Sequence, residues 1–141
     1  MENTFRGQRI YSDEWVYGYY VFRGGIKHQI VSEEYTFPFQ VKPETVGRFV
    51  GLKDKHGKKC FEGEIVEYYT NVRKTRVIAE IKWEQQACAY WLKWVEADEG
   101  GKIINRYREL TATFSDGETY QCDYINIIGN IHETPNLLKQ K

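Results

Sequence analysis

A two-residue alternation in the middle of the chain constrains its fold more than any other feature. In the stretch VIAEIKW, apolar residues at every second position are separated by mostly polar ones, and Tyr90, Leu92 and Trp94 repeat the pattern. Successive side chains of a β-strand point to opposite faces, so both stretches predict strands with one buried face. The first buried set is Val77, Ala79, Ile81 and Trp83.

Glycine-containing turns separate these and other strand-like runs. Turns of this composition commonly close β-hairpins, because glycine adopts the positive φ that they need. The predicted turns are Arg23-Gly24-Gly25, between the runs 15–22 and 26–31, then Asp54-Lys55-His56-Gly57, Asp98-Glu99-Gly100-Gly101 and Ser115-Asp116-Gly117. The apolar run 124–131 predicts a last strand buried on nearly both faces, and 134–139 predicts a short terminal helix.

Short strands with few helices predict an all-β, mainly antiparallel fold. We expect a small SH3-like barrel over about 51–134, with an additional N-terminal β-hairpin layer up to about residue 50 and a short C-terminal helix. A chain of 141 residues can bury about 68% of its unfolded surface. No Pro/Ser/Gly-rich linker interrupts it, so we expect a single domain over 1–141.

Charge and cysteine content restrict the partners and the compartment. The 20 basic and 20 acidic residues cancel, so no overall field attracts the protein to nucleic acid or to an anionic membrane. Three separated cysteines, no signal-like N-terminus and no long apolar run predict a soluble protein of a reducing cytoplasm, without membrane contact.

Catalytic and metal-binding patterns are not recognisable in the sequence. His28, His56 and His132 are isolated from one another and from cysteine, so no zinc-ligand spacing occurs. The glycine pairs lack the following helix of a phosphate-binding loop. We therefore expect no cofactor, no metal and no enzymatic activity.

Three sequence blocks identify a family. RGQRIYSDEWVYGYYV at 6–21 has an Arg-Gly-x-Arg stretch followed by Glu-Trp-Val-x-Gly-Tyr. The second block is VKPETVGRFVGLKDKHGKKCFEGEIV at 41–66, and the third is IIGNIHETPNLL at 127–138. In these blocks the chain resembles the YopX proteins of bacteriophages, prophages and other mobile elements. It departs from the family pattern in having Glu64 where Asp is usual and Cys60 where an apolar residue is common.

The resemblance implies a β-rich fold and a phage or prophage context, and it implies no catalytic residues. From its residues alone, the stretch Phe-Glu-Gly-Glu-Ile-Val in the second block is predicted to open a strand. We expect Gly63 to adopt a positive φ or to approach another backbone, and Glu64 to cap neighbouring amides.

Basic residues near two turns suggest one possible binding site. If both turns lie at one end of the barrel, they form a basic rim that could contact nucleic acid. Interleaved glutamates favour solvated turns, so nucleic-acid binding, if present, should be weak. The rim residues, in the turns at 53–59 and 73–76, are Lys53, Lys55, Lys58, Lys59, Arg73, Lys74 and Arg76.

Aromatic residues suggest an alternative site on the strand near residue 90. Core packing is expected for Trp83 and Trp94, whereas Trp91 points to the opposite face with Ala89 and Val95. Exposed aromatic residues with apolar neighbours are typical of protein interfaces. The sequence thus predicts a protein-binding or self-assembling accessory module, whose partner is another copy or a host or phage protein. On this face Lys93 would need to reach solvent or an acid such as Glu96.

Overall fold

The structure of the protein is a computed structural model. It describes residues 4–25, 27–32, 34–35, 37–112, 114–115 and 120–139, with the side chains of 114–115 left out. Within these ranges there are thirteen strands and two short 3-10 helices, so the predicted all-β class is confirmed. The strands form two sheets in which most neighbours are antiparallel. No helix in these ranges is long and apolar enough to cross a membrane.

The chain divides into two compact units, Met1–Phe49 and Val50–Lys141. The first unit contains the predicted hairpin, whose glycines Gly24 and Gly25 have φ of 62° and 73°, although Ile26 lies outside the described residues. Its core consists of Val16, Ile30, Phe39 and Val41. Its elements are β1 (Phe5–Gln8), β2 (Trp15–Arg23), β3 (Lys27–Val31), β4 (Phe39–Gln40), a 3-10 helix (Pro43–Thr45) and the beginning of β5 (Gly47–Lys53).

The second unit is built on a five-stranded antiparallel sheet, as far as the described residues show. The sheet strands are β7 (Glu64–Tyr69), β8 (Arg76–Glu84), β9 (Ala89–Ala97), β10 (Ile103–Glu109) and β13 (Asn126–Asn130), in the order β10-β9-β8-β7-β13. The remaining elements are the end of β5, β6 (Lys59–Phe61), β11 (Phe114–Ser115), β12 (Tyr120–Gln121) and a 3-10 helix (Pro135–Lys139). The glycine of the turn predicted at 115–117, Gly117, lies outside the described residues.

One face of this sheet forms the core of the second unit. Val77, Ala79 and Ile81 are buried as the alternation predicts, and Leu92 opposes Ile81 on β9. Trp94 is partly buried against them, as expected. The core position expected for Trp83 is wrong, because Trp83 is 37% exposed near the end of β8. The other core residues are Leu52, Cys60, Val66, Tyr68, Cys122 and Ile125.

Three finer predictions of the fold differ from the structure: the barrel, the burial of the last strand and the type of the terminal helix. The strands do not close into a barrel within the described residues, because β10 and β13 end the sheet and each pairs on one side only. Strand β10 is mostly exposed, so it provides no buried face for closure. Strand β13 is half-buried along most of its length, and the terminal helix is a 3-10 helix of five residues.

Two acidic residues of the second block, Asp54 and Glu64, build turns. Asp54 is 2% exposed, and its carboxylate accepts hydrogen bonds from the amides of His56 and Lys58 at 2.9 Å each and of Ile127 at 3.2 Å. Glu64, also 2% exposed, accepts from the Phe61 amide at 3.0 Å, as its predicted capping role requires. These carboxylates satisfy buried backbone donors, so their role is architectural.

Gly63 has a φ of 88°, which confirms its predicted conformation. The space around it is ordinary, since an added Cβ would lie 3.5 Å from the nearest atom, Cγ1 of Ile131. Gly63→Val is therefore expected to cost about 1–3 kcal/mol through backbone strain alone. Chemical denaturation measures this cost, and an unchanged midpoint would show that the glycine is needed for something other than folding.

Candidate protein-binding surface

The pairing of β8, β9 and β10 assigns each side chain of β9 to one of two faces. Leu92 opposes Ile81 and faces the core, and neighbouring positions face the other way. Trp91 opposes Lys82 on β8 and Glu109 on β10, and Val95 opposes Asn105. Ala89, Trp91 and Val95 thus share the face turned away from the core of the second unit. We call this side of the five-stranded sheet the outer face.

The outer face exposes several large apolar side chains. Val95 is 48% exposed, and the structure adds two residues of β10 that the sequence prediction missed: Ile103, 64% exposed, and Tyr107, 45% exposed. Tyr107 packs edge-on against Trp91, with 6.3 Å between the ring centres. Together with half-buried Trp91 these residues form an apolar strip along β9 and β10, which Lys93 and Asn105 interrupt on the same face.

Two hollows flank this strip. The first, of about 590 Å³, is lined by apolar residues that include Ile78, Val95, Ile103 and Leu138, and also by charged Arg76, Glu96 and Lys139. The second, of about 480 Å³, is lined by Trp91 and Tyr107, by Glu84 at the end of β8, and by Gln86 and Ala87 of the β8–β9 turn. Both hollows are wide and shallow enough to accept side chains of a protein partner, and Trp91 or Val95 contributes to each.

Charged residues on the outer face lie beside compatible neighbours. Lys93 lies opposite Glu80 on β8 and Tyr107 on β10. The suggested acid Glu96 is on the other face, where its carboxylate accepts from Trp94 Nε1 at 3.0 Å and binds Arg106 at 3.2 Å. Glu80 is therefore the acid next to Lys93, since directly opposed residues share a face.

The predicted basic rim is partly neutralised. The side chain of Arg76 forms a salt bridge of 2.5 Å with Glu67, and Glu67 also accepts from Asn126 Nδ2 at 3.2 Å. Partial burial alone would raise the pKa of Glu67, but the hydrogen bonds from Arg76 and Asn126, with the charges of Arg76 and Lys55, hold it below its usual value. Lys55 and Arg76 thus lie near one carboxylate, whose single negative charge offsets part of their two positive charges.

The other rim residues occupy different settings. Lys58, Arg73 and Lys74 are exposed on the two turns, and Lys74 has a φ of 52° in the β7–β8 turn. Lys53 and Lys59 are half-buried on β5 and β6 and interact with other groups. The exposed lysines and arginine are too few to make a strong phosphate-binding surface, because each phosphate contact contributes only part of the affinity.

Any binding of nucleic acid should consequently be weak and steeply dependent on salt. We expect affinity for single- or double-stranded DNA to fall strongly between 50 and about 200 mM salt, as counterion release requires. Lys58→Glu and Lys74→Glu should weaken it further in fluorescence anisotropy titrations. Affinity that responds neither to salt nor to these substitutions would exclude the two turns as its cause.

The three cysteines lie in two kinds of surroundings. Cys60 and Cys122 are buried in the core, and burial raises the pKa of both thiols, whereas Cys88 is exposed. No three His, Cys, Asp or Glu residues among those described are grouped to hold a metal ion. The apolar outer face is thus the best-defined candidate site.

These features define an all-β protein with an exposed apolar strip on one sheet. The chain belongs to the YopX family, because the family model described as YopX protein matches residues 5–139. The crystal structure of protein EF1440 from Enterococcus faecalis is similar over 98% of this chain and 99% of that chain, with 21% identity and a TM-score of 0.48. No curated protein matches the chain.

Proposed function

We propose that this protein is a non-enzymatic accessory protein of a phage or prophage, acting in the bacterial cytoplasm as a protein-binding or self-assembling module. The observation that carries the proposal is the apolar strip of the outer face, formed by Trp91, Val95, Ile103 and Tyr107. Large exposed apolar patches on a folded domain mark interaction sites.

The composition of the strip suits a protein partner. Trp91 and Tyr107 form an aromatic pair at one end of the strip, and aromatic residues of this kind dominate binding energy at interfaces. Burial of apolar surface contributes roughly 25 cal/mol per Å², so covering the strip favours association. A net charge of zero does little to keep copies of the protein apart.

Nucleic acid is a weaker alternative. The exposed charges on the turns at 53–59 and 73–76 favour it, but the Arg76–Glu67 pair and the zero net charge oppose it. The salt-dependence experiment above distinguishes this alternative from protein binding, because burial of the apolar strip depends little on salt.

Thermal unfolding at several protein concentrations tests the proposal. Self-association stabilises the folded state by mass action, so the Tm of the wild-type protein should rise with concentration. Trp91→Glu places a charge in the strip, and an aromatic residue that anchors an interface typically contributes about 2 kcal/mol or more to binding. The substitution should therefore reduce this dependence of Tm on concentration.

Tyr11→Glu is the matched control, because Tyr11 is an aromatic residue that is 95% exposed and belongs to the first unit. It should leave the concentration dependence unchanged. An equal dependence in wild type and Trp91→Glu would remove the outer face as the associating surface.

A further inference from the structure

Strand β10 has a free edge whose hydrogen-bonding groups can be assigned. The hairpin with β9 begins with the Asp98 amide donating to the Lys102 carbonyl at 2.9 Å and ends with the Leu110 amide donating to the Tyr90 carbonyl at 3.3 Å. Hydrogen-bonded and non-hydrogen-bonded pairs alternate along an antiparallel ladder. Even-numbered residues of β10 therefore bond to β9, and the N–H and C=O groups of Ile103, Asn105, Tyr107 and Glu109 point away from it.

This edge lacks two of the devices that usually protect edges, proline and a bulge, although it carries charged side chains. Among the described residues β10 pairs with β9 alone, in an unbroken register from Ile103 to Glu109 without proline or bulge. Its two arginines are engaged on the side of the sheet opposite the outer face. Arg106 binds Glu96 at 3.2 Å, and the Arg108 guanidinium lies 4.4 Å from the ring centre of Tyr124 and 4.9 Å from that of Tyr68. Their charges are thus partly satisfied.

We propose that a second copy of this chain pairs with β10 as an antiparallel strand, with the two-fold axis at Asn105. In this register Asn105 faces Asn105 of the second copy, and Ile103 faces its Tyr107 at two equivalent places. Each facing pair exchanges two main-chain hydrogen bonds through the groups that point away from β9. The proposal deepens the proposed function, on which it rests, by making a second copy the partner.

The side chains favour this register over its neighbours. It places exposed Ile103 against exposed Tyr107 on the outer face and Ile104 against Arg106 on the other. An axis at Arg106 would set Arg106 against itself, and an axis at Tyr107 would set Arg106 against Arg108. Like charges directly opposite are destabilising, whereas aromatic and β-branched pairs contribute about 0.2–1 kcal/mol each.

The arrangement also joins the two apolar strips. Ile103 and Tyr107 lie at the seam, and Trp91 is in edge-on contact with Tyr107. The outer faces of two copies consequently become one surface of doubled length. A self-complementary seam of this kind closes into a two-fold dimer, the commonest symmetric assembly.

Cross-linking between two differently tagged chains tests the register. Ile104→Cys and Arg106→Cys are made separately, each with Cys88→Ser, because Cys88 is an exposed thiol. The facing positions 104 and 106 would form a non-hydrogen-bonded pair with Cα atoms about 4.5 Å apart, a separation that a disulfide spans. We expect oxidation to give a disulfide-linked species of twice 16.7 kDa only when the two variants are mixed.

Other cross-linking outcomes contradict the proposal. Dimers of Arg106→Cys alone would place the axis at Arg106, and the absence of any cross-link would show that β10 is not the seam. Trp91→Glu added to both chains should weaken association and lower the yield of the mixed cross-link without moving it to other positions, because it alters the outer face but leaves the backbone groups of β10 in place. Complete loss of the link with Trp91→Glu would show that association depends on the outer face and not on this edge.

A proline at the axis provides a second test. Asn105→Pro removes an N–H that points away from β9, so it should abolish the mixed cross-link, while Asn105→Ala, which keeps the N–H, should not. Circular dichroism establishes that both variants are folded. A cross-link that persists in folded Asn105→Pro would overturn the proposal. The role of the outer face is tested separately, by the concentration dependence of Tm in Trp91→Glu.

Discussion

Asp54→Ala is expected to lower the free energy of unfolding by about 3–5 kcal/mol, one of the largest effects of a single substitution in this chain. The buried carboxylate accepts hydrogen bonds from the amides of His56, Lys58 and Ile127, and alanine leaves all three donors without it. The bond to Ile127 joins residues 73 positions apart, so its loss also releases the β5–β6 turn from the strand β13.

Asp98 provides a closely matched control. Its carboxylate accepts from the amides of Gly100 at 2.9 Å and Lys102 at 2.8 Å, which reproduces the local part of the Asp54 turn at an exposed site. Because water can replace these bonds, Asp98→Ala should cost about 1 kcal/mol or less. Urea denaturation followed by circular dichroism measures both. Equal effects of the two substitutions would contradict the architectural role of the buried carboxylate.

Gly18→Ala should have an effect of similar size, about 3–5 kcal/mol, for a steric reason. A Cβ at this position would lie 2.1 Å from the carbonyl oxygen of Val31 and 3.0 Å from Cα of Ser32, both of them backbone atoms. Strand β3 would have to move away from β2, and the paired backbone groups would separate.

Gly100→Ala is the comparison for this prediction, because an added Cβ there meets only Asp98 Oδ1, at 3.5 Å. It should change the stability of the protein by less than about 0.5 kcal/mol. The shift in the urea midpoint measures both variants. A Gly18→Ala protein as stable as the wild type would show that the two strands can separate without loss.

The sequence predicts well those elements whose cause is local. Strict alternation identified β8 and the inner face of β9, because one face of each strand is buried. The positive φ of Gly63 and the capping by Glu64 also follow from local turn chemistry. The exposure of Trp83 could not be predicted from the alternation, because alternation fixes which face a side chain is on but not how far the core extends along the strand.

Features that depend on long-range pairing were not predictable in the same way. Strand β10 is exposed on both faces, so it has no hydrophobic period to reveal it, and Ile103 and Tyr107 were missed as parts of the outer face. The parallel pairing of Tyr120 with Leu52 joins distant segments of the chain. The neutralisation of Arg76 by Glu67 requires the β7–β8 register, which places the two side chains on one face.

The molar mass of the protein in solution tests the central claim, that the outer face associates with protein, most directly. Light scattering at micromolar concentrations should show wild-type protein and Tyr11→Glu above the monomer mass of 16.7 kDa, and Trp91→Glu at a lower mass than either. Wild-type protein that remains at the monomer mass at every concentration would contradict self-assembly. An assembly whose mass Trp91→Glu leaves unchanged would contradict the role of the outer face.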